Sequence, residues 1–202
     1  MRLTSGDRCP AYIRLYRRQT LRAEGLSMTP RDLEEYRALR ATIRERGTTR
    51  AWVVLAGLTV WGGLTIATAA LATLPVATFL PLLILATAFE IVLSLHTGVE
   101  RVGRYIQVFF EEEDSRGWEH VAMAYGATFG GGGDPLFANF FWIAAILNFI
   151  PAIFANPMPI EWAVVGSIHL FFIARIGLAR RHAGRQRTTD LDRFRRLKQQ
   201  AS

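Results

Sequence analysis

A single cysteine, Cys9, and a single lysine, Lys198, stand in a chain of 202 residues. One cysteine excludes an internal disulfide framework and any multi-cysteine metal cluster. Arginine supplies nearly all of the 24 basic residues, against 17 acidic ones, which points to a high-GC coding background rather than to a function. Also missing are a Gly-x-Ser-x-Gly elbow, a phosphate loop and a dinucleotide fingerprint. Neither a His-Glu-x-x-His pattern nor paired Glu-x-x-His motifs occur. The glycine run 130–133 precedes no Lys-Ser/Thr pair and reads as a hinge. The N-terminal stretch lacks a short apolar core with a small-residue cleavage site, so no cleaved signal peptide is expected.

Long hydrophobic runs are what the chain has. Half of its residues are hydrophobic, and they gather in stretches long enough to cross a hydrocarbon layer, which takes about 20 residues. The expected fold is an all-α membrane protein with four transmembrane helices arranged as two antiparallel hairpins. The spans are read as 51–74, 76–95, 136–155 and 160–178, with a cytoplasmic loop 96–135 between the pairs. Residues 1–27 read as a disordered basic tail. Met28 is taken as the native start, because a clean helix signal follows: Thr29 as N-cap, Pro30 at the first helical position and Asp32 three residues on. That cytoplasmic helix, within segment 28–50, is expected from Pro30 to Arg46 and to end at Gly47. Gly57, Trp61, Gly62, Gly63 and Ala67 to Ala70 give the first span a small-residue flank for close helix packing.

The second span leaves the membrane amphipathic, with Val99, Val102, Ile106 and Phe109 on one face and Glu100, Arg101, Arg104 and Gln107 on the other. This helix either continues straight or bends at Gly98 or Gly103 to lay an amphipathic middle-loop helix on the interface, and the bend is the preferred reading. A short helix follows around Trp118 to Tyr125. Asp134 and Pro135 read as cap and first residue of the third span. The basic tail 179–202 is expected to hold a separate short helix from Leu191 to Gln200.

Outside the fourth span, every Lys and Arg precedes Ala51, falls between spans two and three, or follows Leu178. The positive-inside bias then puts both termini and the middle loop in the cytoplasm of a bacterial inner membrane. With a net charge of +7 flanking apolar spans, the expected partners are the lipid bilayer and its anionic headgroups, and a second copy or a membrane complex; no nucleic acid is expected.

Ionisable groups inside a span cost about 2.5 to 3.5 kcal/mol each unless paired or hydrated. At about 1.5 Å per residue, Glu90 lies about 21 Å and Arg175 about 22 Å from the outer side. Equal depth predicts a Glu90–Arg175 contact, with Ser94 and Asn139 nearby. His169 and Asn148 also match in depth and are expected to hydrogen-bond across helices. His96 and Glu100 share a helix face four residues apart, as two ligands of one metal would. With Glu119 and His120 they form the candidate catalytic set. A haem between His96 and His169 is disfavoured further, since their depths differ by about 16 Å.

These residues lead to a small multi-pass membrane protein, a non-enzymatic structural, regulatory or accessory subunit acting through its cytoplasmic loop, with no cofactor. One alternative is an oligomeric small transporter or channel, with Glu90, His169 and Arg175 lining a polar path. The other is a membrane-embedded enzyme with a divalent metal on His96, Glu100 and His120.

Overall fold

The computed structural model describes residues 29–71, 74–111, 117–129 and 136–201. The readings of the tail 1–27, of the acidic residues after Glu111 and of the glycine run with Asp134 and Pro135 lie outside these residues. The described chain is helical throughout, with no strand among its residues: α1 (Pro30–Leu71), a 3-10 turn (Pro75–Thr78), α2 (Phe79–Phe109), α3 (Trp118–Phe129), α4 (Ala138–Phe154) and α5 (Pro159–Ala201). Three helices are long and apolar enough to cross a membrane, and α4 is a shorter apolar helix.

The chain divides into two compact units, Met1–Ala41 and Thr42–Ser202. Within the first, Thr29 and Asp32 cap the helix start reciprocally. The Asp32 N–H donates to Thr29 Oγ1 (3.2 Å) and the Thr29 N–H to Asp32 Oδ2 (3.0 Å), a capping box with Asp in the usual Glu position. One turn on, Arg40 Nε donates to the Tyr36 hydroxyl (3.1 Å), with its guanidinium over the ring.

In the second unit α2 is the centre. Leu85, Phe89 and Val92 are fully buried. Phe89 meets Phe141 of α4 and Phe172 of α5 edge-on, with centroids 5.3 and 6.2 Å apart. Such T-shaped contacts suit the ring quadrupoles and interlock three helices at one level. Contact partners fix the helix directions. Gly57 meets Ala88, and Arg50 meets His96, so α1 and α2 run antiparallel. Trp142 donates to the Ile173 carbonyl while Phe149 meets Trp162 edge-on, so α4 and α5 are also antiparallel. Along α2 and α5, Glu90 pairs with Arg175, Glu100 with Arg187, and Lys198 with the Val108 carbonyl, so these two run parallel.

Several boundaries differ from the sequence reading. Gly47 does not end the first helix, which runs on to Leu71. One helical glycine costs about 1 kcal/mol, and no proline follows to turn that cost into a stop. Of the three glycines in that flank, Gly57 makes a close approach, its Cβ position lying 2.7 Å from the Ala88 methyl, whereas Gly62 and Gly63 face open space. The second helix begins with the 3-10 turn at Pro75, and α2 proper starts at Phe79. Pro81 sits in its first turn, where the missing N–H has no partner to lose.

No bend occurs at Gly98 or Gly103; α2 is one helix to Phe109. These glycines instead admit neighbours. An Arg46 guanidinium nitrogen lies 2.5 Å from the Cβ position of Gly98, and Glu119 Oε2 lies 2.9 Å from that of Gly103. The basic tail is likewise one helix with the fourth apolar run. Phe194 seats against Tyr105 and Phe109 (5.7 and 6.4 Å between centroids), and this contact carries the helical path past Leu178. Helix α4 opens at Phe137, in the left-handed region (φ 52°). It closes before Asn156, also left-handed (φ 47°), as Asn tolerates after a helix.

Candidate functional site

The most buried polar group of the apolar region is Asn148 on α4, reached from three sides. Its amide oxygen accepts from Trp61 Nε1 (3.1 Å) and Thr65 Oγ1 (3.3 Å) of α1. Its amide nitrogen donates to the Thr78 carbonyl (2.9 Å) and lies 3.0 Å from His169 Nε2 on α5. A carbonyl only accepts, so the Thr78 contact fixes which way the amide points. His169 Nδ1 lies 2.8 Å from the Val165 carbonyl and must carry the proton there, leaving Nε2 to accept from Asn148. That is a neutral imidazole held in one tautomer. The depth match anticipates the Asn148–His169 bond. It misses Trp61, Thr65 and Thr78, because indole and hydroxyl groups inside an apolar run carry no depth signal of their own.

The second pair also meets. Arg175 Nη2 donates to Glu90 Oε2 at 2.9 Å, yet the side chains are 36% and 49% exposed. The contact lies on the outer face of α2 and α5, away from the buried Asn148–His169 group. Ser94 lines the shallow groove beside Glu90 with Ala86, Thr87, Ile91 and Leu95. Asn139 is exposed on α4 and does not join the pair.

Beyond the apolar runs, α2 and α5 carry a chain of ion pairs. Arg187 Nε donates to Glu100 Oε2 (2.7 Å), and Arg101 pairs with Asp190 (3.4 Å). Arg104, buried on α2, donates through Nη1 to Gln107 Oε1 (2.7 Å) and through Nη2 to Glu119 Oε2 (3.5 Å); Glu100 lies 3.9 Å away. Among the described residues its Nε, like that of Arg50, is buried without a hydrogen-bond partner. A buried guanidinium with two carboxylates holds the start of α3 on α2, and Gly103 supplies the room for Glu119.

Glu111 completes this region. Helix α3 starts after Gly117, which has no side chain to cap it. The Glu111 carboxylate takes that role from a distance, accepting from the Glu119 and His120 N–H groups (3.1 and 3.2 Å) and from His120 Nδ1 (2.9 Å). It occupies the space where a Gly117 Cβ would stand.

The four residues read as a catalytic set are therefore distributed. His96 Nδ1 lies 3.2 Å from Arg50 Nη1, Glu100 faces arginines, Glu119 meets Arg104, and His120 meets Glu111. Among the described residues no three His, Cys, Asp or Glu side chains converge where a metal ion would be held. What sequence reasoning missed is that Arg50 and Arg187, from other helices, reach His96 and Glu100. Helical spacing reports neighbours on one helix only.

Comparison with known protein families, with curated proteins and with solved structures finds nothing that matches this chain.

Proposed function

We propose that the chain is a four-span protein of a bacterial inner membrane, with both termini and the segment 96–135 in the cytoplasm, acting as a non-enzymatic structural, regulatory or accessory subunit through its cytoplasmic part. The observation that carries this reading is what the ionisable groups touch. His96, Glu100, Glu119 and His120 are each engaged by an arginine or by a helix-capping carboxylate. His96 and Glu100 line one narrow cleft with Arg104, Arg187 and Asp190, and their polar atoms are engaged there by arginines of other helices, Arg50 and Arg187.

Further support comes from the parallel α2–α5 pair. Its ion pairs, the Tyr105–Phe109–Phe194 aromatic group and the Lys198 bond to the Val108 carbonyl make a stiff cytoplasmic projection on which a membrane complex would be assembled. Helix α4 covers about 25 Å at about 1.5 Å per residue, and Leu136 and Phe137 before it extend the apolar length toward the roughly 30 Å of a hydrocarbon core.

Gentle detergent purification without chelator, followed by elemental analysis, liposome flux and native sizing of solubilised membranes, tests the reading. The expected result is migration in an assembly larger than the protein's own oligomer, with neither stoichiometric metal nor solute or proton flux. A stoichiometric metal lost in both His96→Ala and Glu100→Ala would overturn it in favour of a metalloenzyme. Proton flux abolished by His169→Ala would overturn it in favour of a transporter.

A further inference from the structure

The outward face of α2 changes character along its length. Leu80, Leu83 and Ile91 are exposed, as any lipid-facing residues are. Thr87, Glu90 and Ser94 are exposed on the same side, and Arg175 of α5 reaches across to Glu90 at 2.9 Å. Glu90 lies about 16 Å along the axis from Phe79, inside the hydrocarbon depth, where polar side chains face protein or water rather than acyl chains. Nothing in the chain's own described residues covers this face. The groove there is lined by the short side chains Ala86, Thr87 and Ser94 next to Ile91 and Leu95, the composition that lets two helices approach closely in a membrane.

We infer that the face carrying Thr87, Glu90, Ser94 and Arg175 is a self-association seam, covered by a second copy of this chain. Charge selects the occupant. An anionic phospholipid headgroup is drawn to Arg175 but repelled by Glu90 beside it. A two-fold related copy presents the same plus–minus pair in reverse order, so each Glu90 gains the partner's guanidinium and each Arg175 the partner's carboxylate. The Thr87 and Ser94 hydroxyls, on the same helix face as Glu90, supply the hydrogen-bonding groups that membrane helix pairs use. The inference rests on α2 and α5 crossing the bilayer, and it makes the subunit proposed above at least a dimer.

Cross-linking in native membranes tests it, in a Cys9→Ser background. Thr87→Cys and Ser94→Cys should each give dimer with an oxidant or a short bis-maleimide, at least tenfold more than Leu170→Cys, whose parent residue is exposed on α5. The variant Glu90→Leu with Arg175→Leu should keep its helical circular dichroism and lose the dimer, since lipid accepts leucine. Dimer yield at Ser94→Cys no greater than at Leu170→Cys would overturn the inference. So would anionic lipid retained in native mass spectra by the parent and released by Arg175→Leu while both remain monomeric, which would assign the pair to a headgroup. Failure of the membrane reading itself is read separately: ready labelling of Ser94→Cys by a charged, membrane-impermeant maleimide means that α2 is not embedded there.

Discussion

At Asn148 all the bonding positions of one side-chain amide are used: two donors on α1 share its oxygen, and the Thr78 carbonyl and His169 share its nitrogen. Replacement by leucine, similar in size, leaves those partners unsatisfied in an apolar setting. Interhelical hydrogen bonds in membranes average about 0.6 kcal/mol and reach about 1.7, so Asn148→Leu is expected to lose about 2 kcal/mol, measured by reversible unfolding in bicelles. An unchanged stability would mean that the partners find other acceptors. Arg104 makes the contrasting case, because its loss strands charge. Arg104→Ala leaves Glu119 buried beside Glu100 and is expected to cost about 3 kcal/mol, within the range for breaking a buried pair. Adding Glu119→Gln to it should recover part of that loss, and failure to recover any would show that the cost lies in packing. At this scale the sequence is informative where depth can be counted. Glu90 with Arg175, and Asn148 with His169, pair because residues at matching positions along neighbouring apolar helices meet. Arg104 with Glu119 is not legible that way, since it depends on where α3 is placed against α2, which no helical period encodes.

Among elements, α3 shows how a helix start can be written far from itself. Gly117 offers no capping side chain, and Glu111 reaches back to bind the first N–H groups. Gly117→Ala puts a methyl into that carboxylate and should loosen α3, seen as faster amide exchange over residues 118–129. Gly126→Ala, in the same helix with nothing near its Cβ position, should slow exchange there, since alanine is favoured over glycine by about 1 kcal/mol inside a helix. Equal effects of the two would remove Glu111 from its capping role. The start of α1 is a local cap and titrates accordingly. Hydrogen bonding from the Thr29 side chain, then from its backbone N–H, holds the Asp32 carboxyl below its ordinary value. A depressed carboxyl stabilises the folded form above its unfolded pKa of about 4 and ceases to do so as pH falls through the folded value. Amide exchange near Thr29 should therefore be insensitive to protonation at neutral pH and show extra opening only in acid, a dependence that Asp32→Asn abolishes. The Thr29 cap is readable because its residues are consecutive. The length of α1, α2 and α5 is not: Gly47 looks like a stop yet lies within one continuous helix, Gly98 and Gly103 look like bends until the Arg46 and Glu119 side chains are seen beside them, and the end of α5 is held by Phe194 against Tyr105 and Phe109 of another helix.

For the whole molecule, the number of crossings turns on α4, the shortest of the apolar helices. Its contacts with α5 run antiparallel, Trp142 to Ile173 and Phe149 to Trp162, and the two are joined by a tight link at Asn156. If α4 crosses, the links at Leu74 and Met158 share the outer side and the end of α5 lies inside, the arrangement that the positive-inside bias would favour. If α4 only enters and returns, Met158 stays inside, α5 carries its arginine-rich end outward, and both sites exchange sides relative to the membrane. Single cysteines at Leu74, Met158 and Leu197, all exposed positions, distinguish the two in a Cys9→Ser background. The expected outcome is labelling of Leu74→Cys and Met158→Cys by a membrane-impermeant maleimide on intact spheroplasts, and of Leu197→Cys only after permeabilisation. Labelling of Leu197→Cys on intact spheroplasts, with Met158→Cys protected, would establish three crossings. It would also move the ion-paired α5 projection away from the C-terminal end of α2. The closeness of Glu100 to Arg187 and of Val108 to Lys198 requires the two projections to emerge on the same side, and this favours the four-crossing outcome.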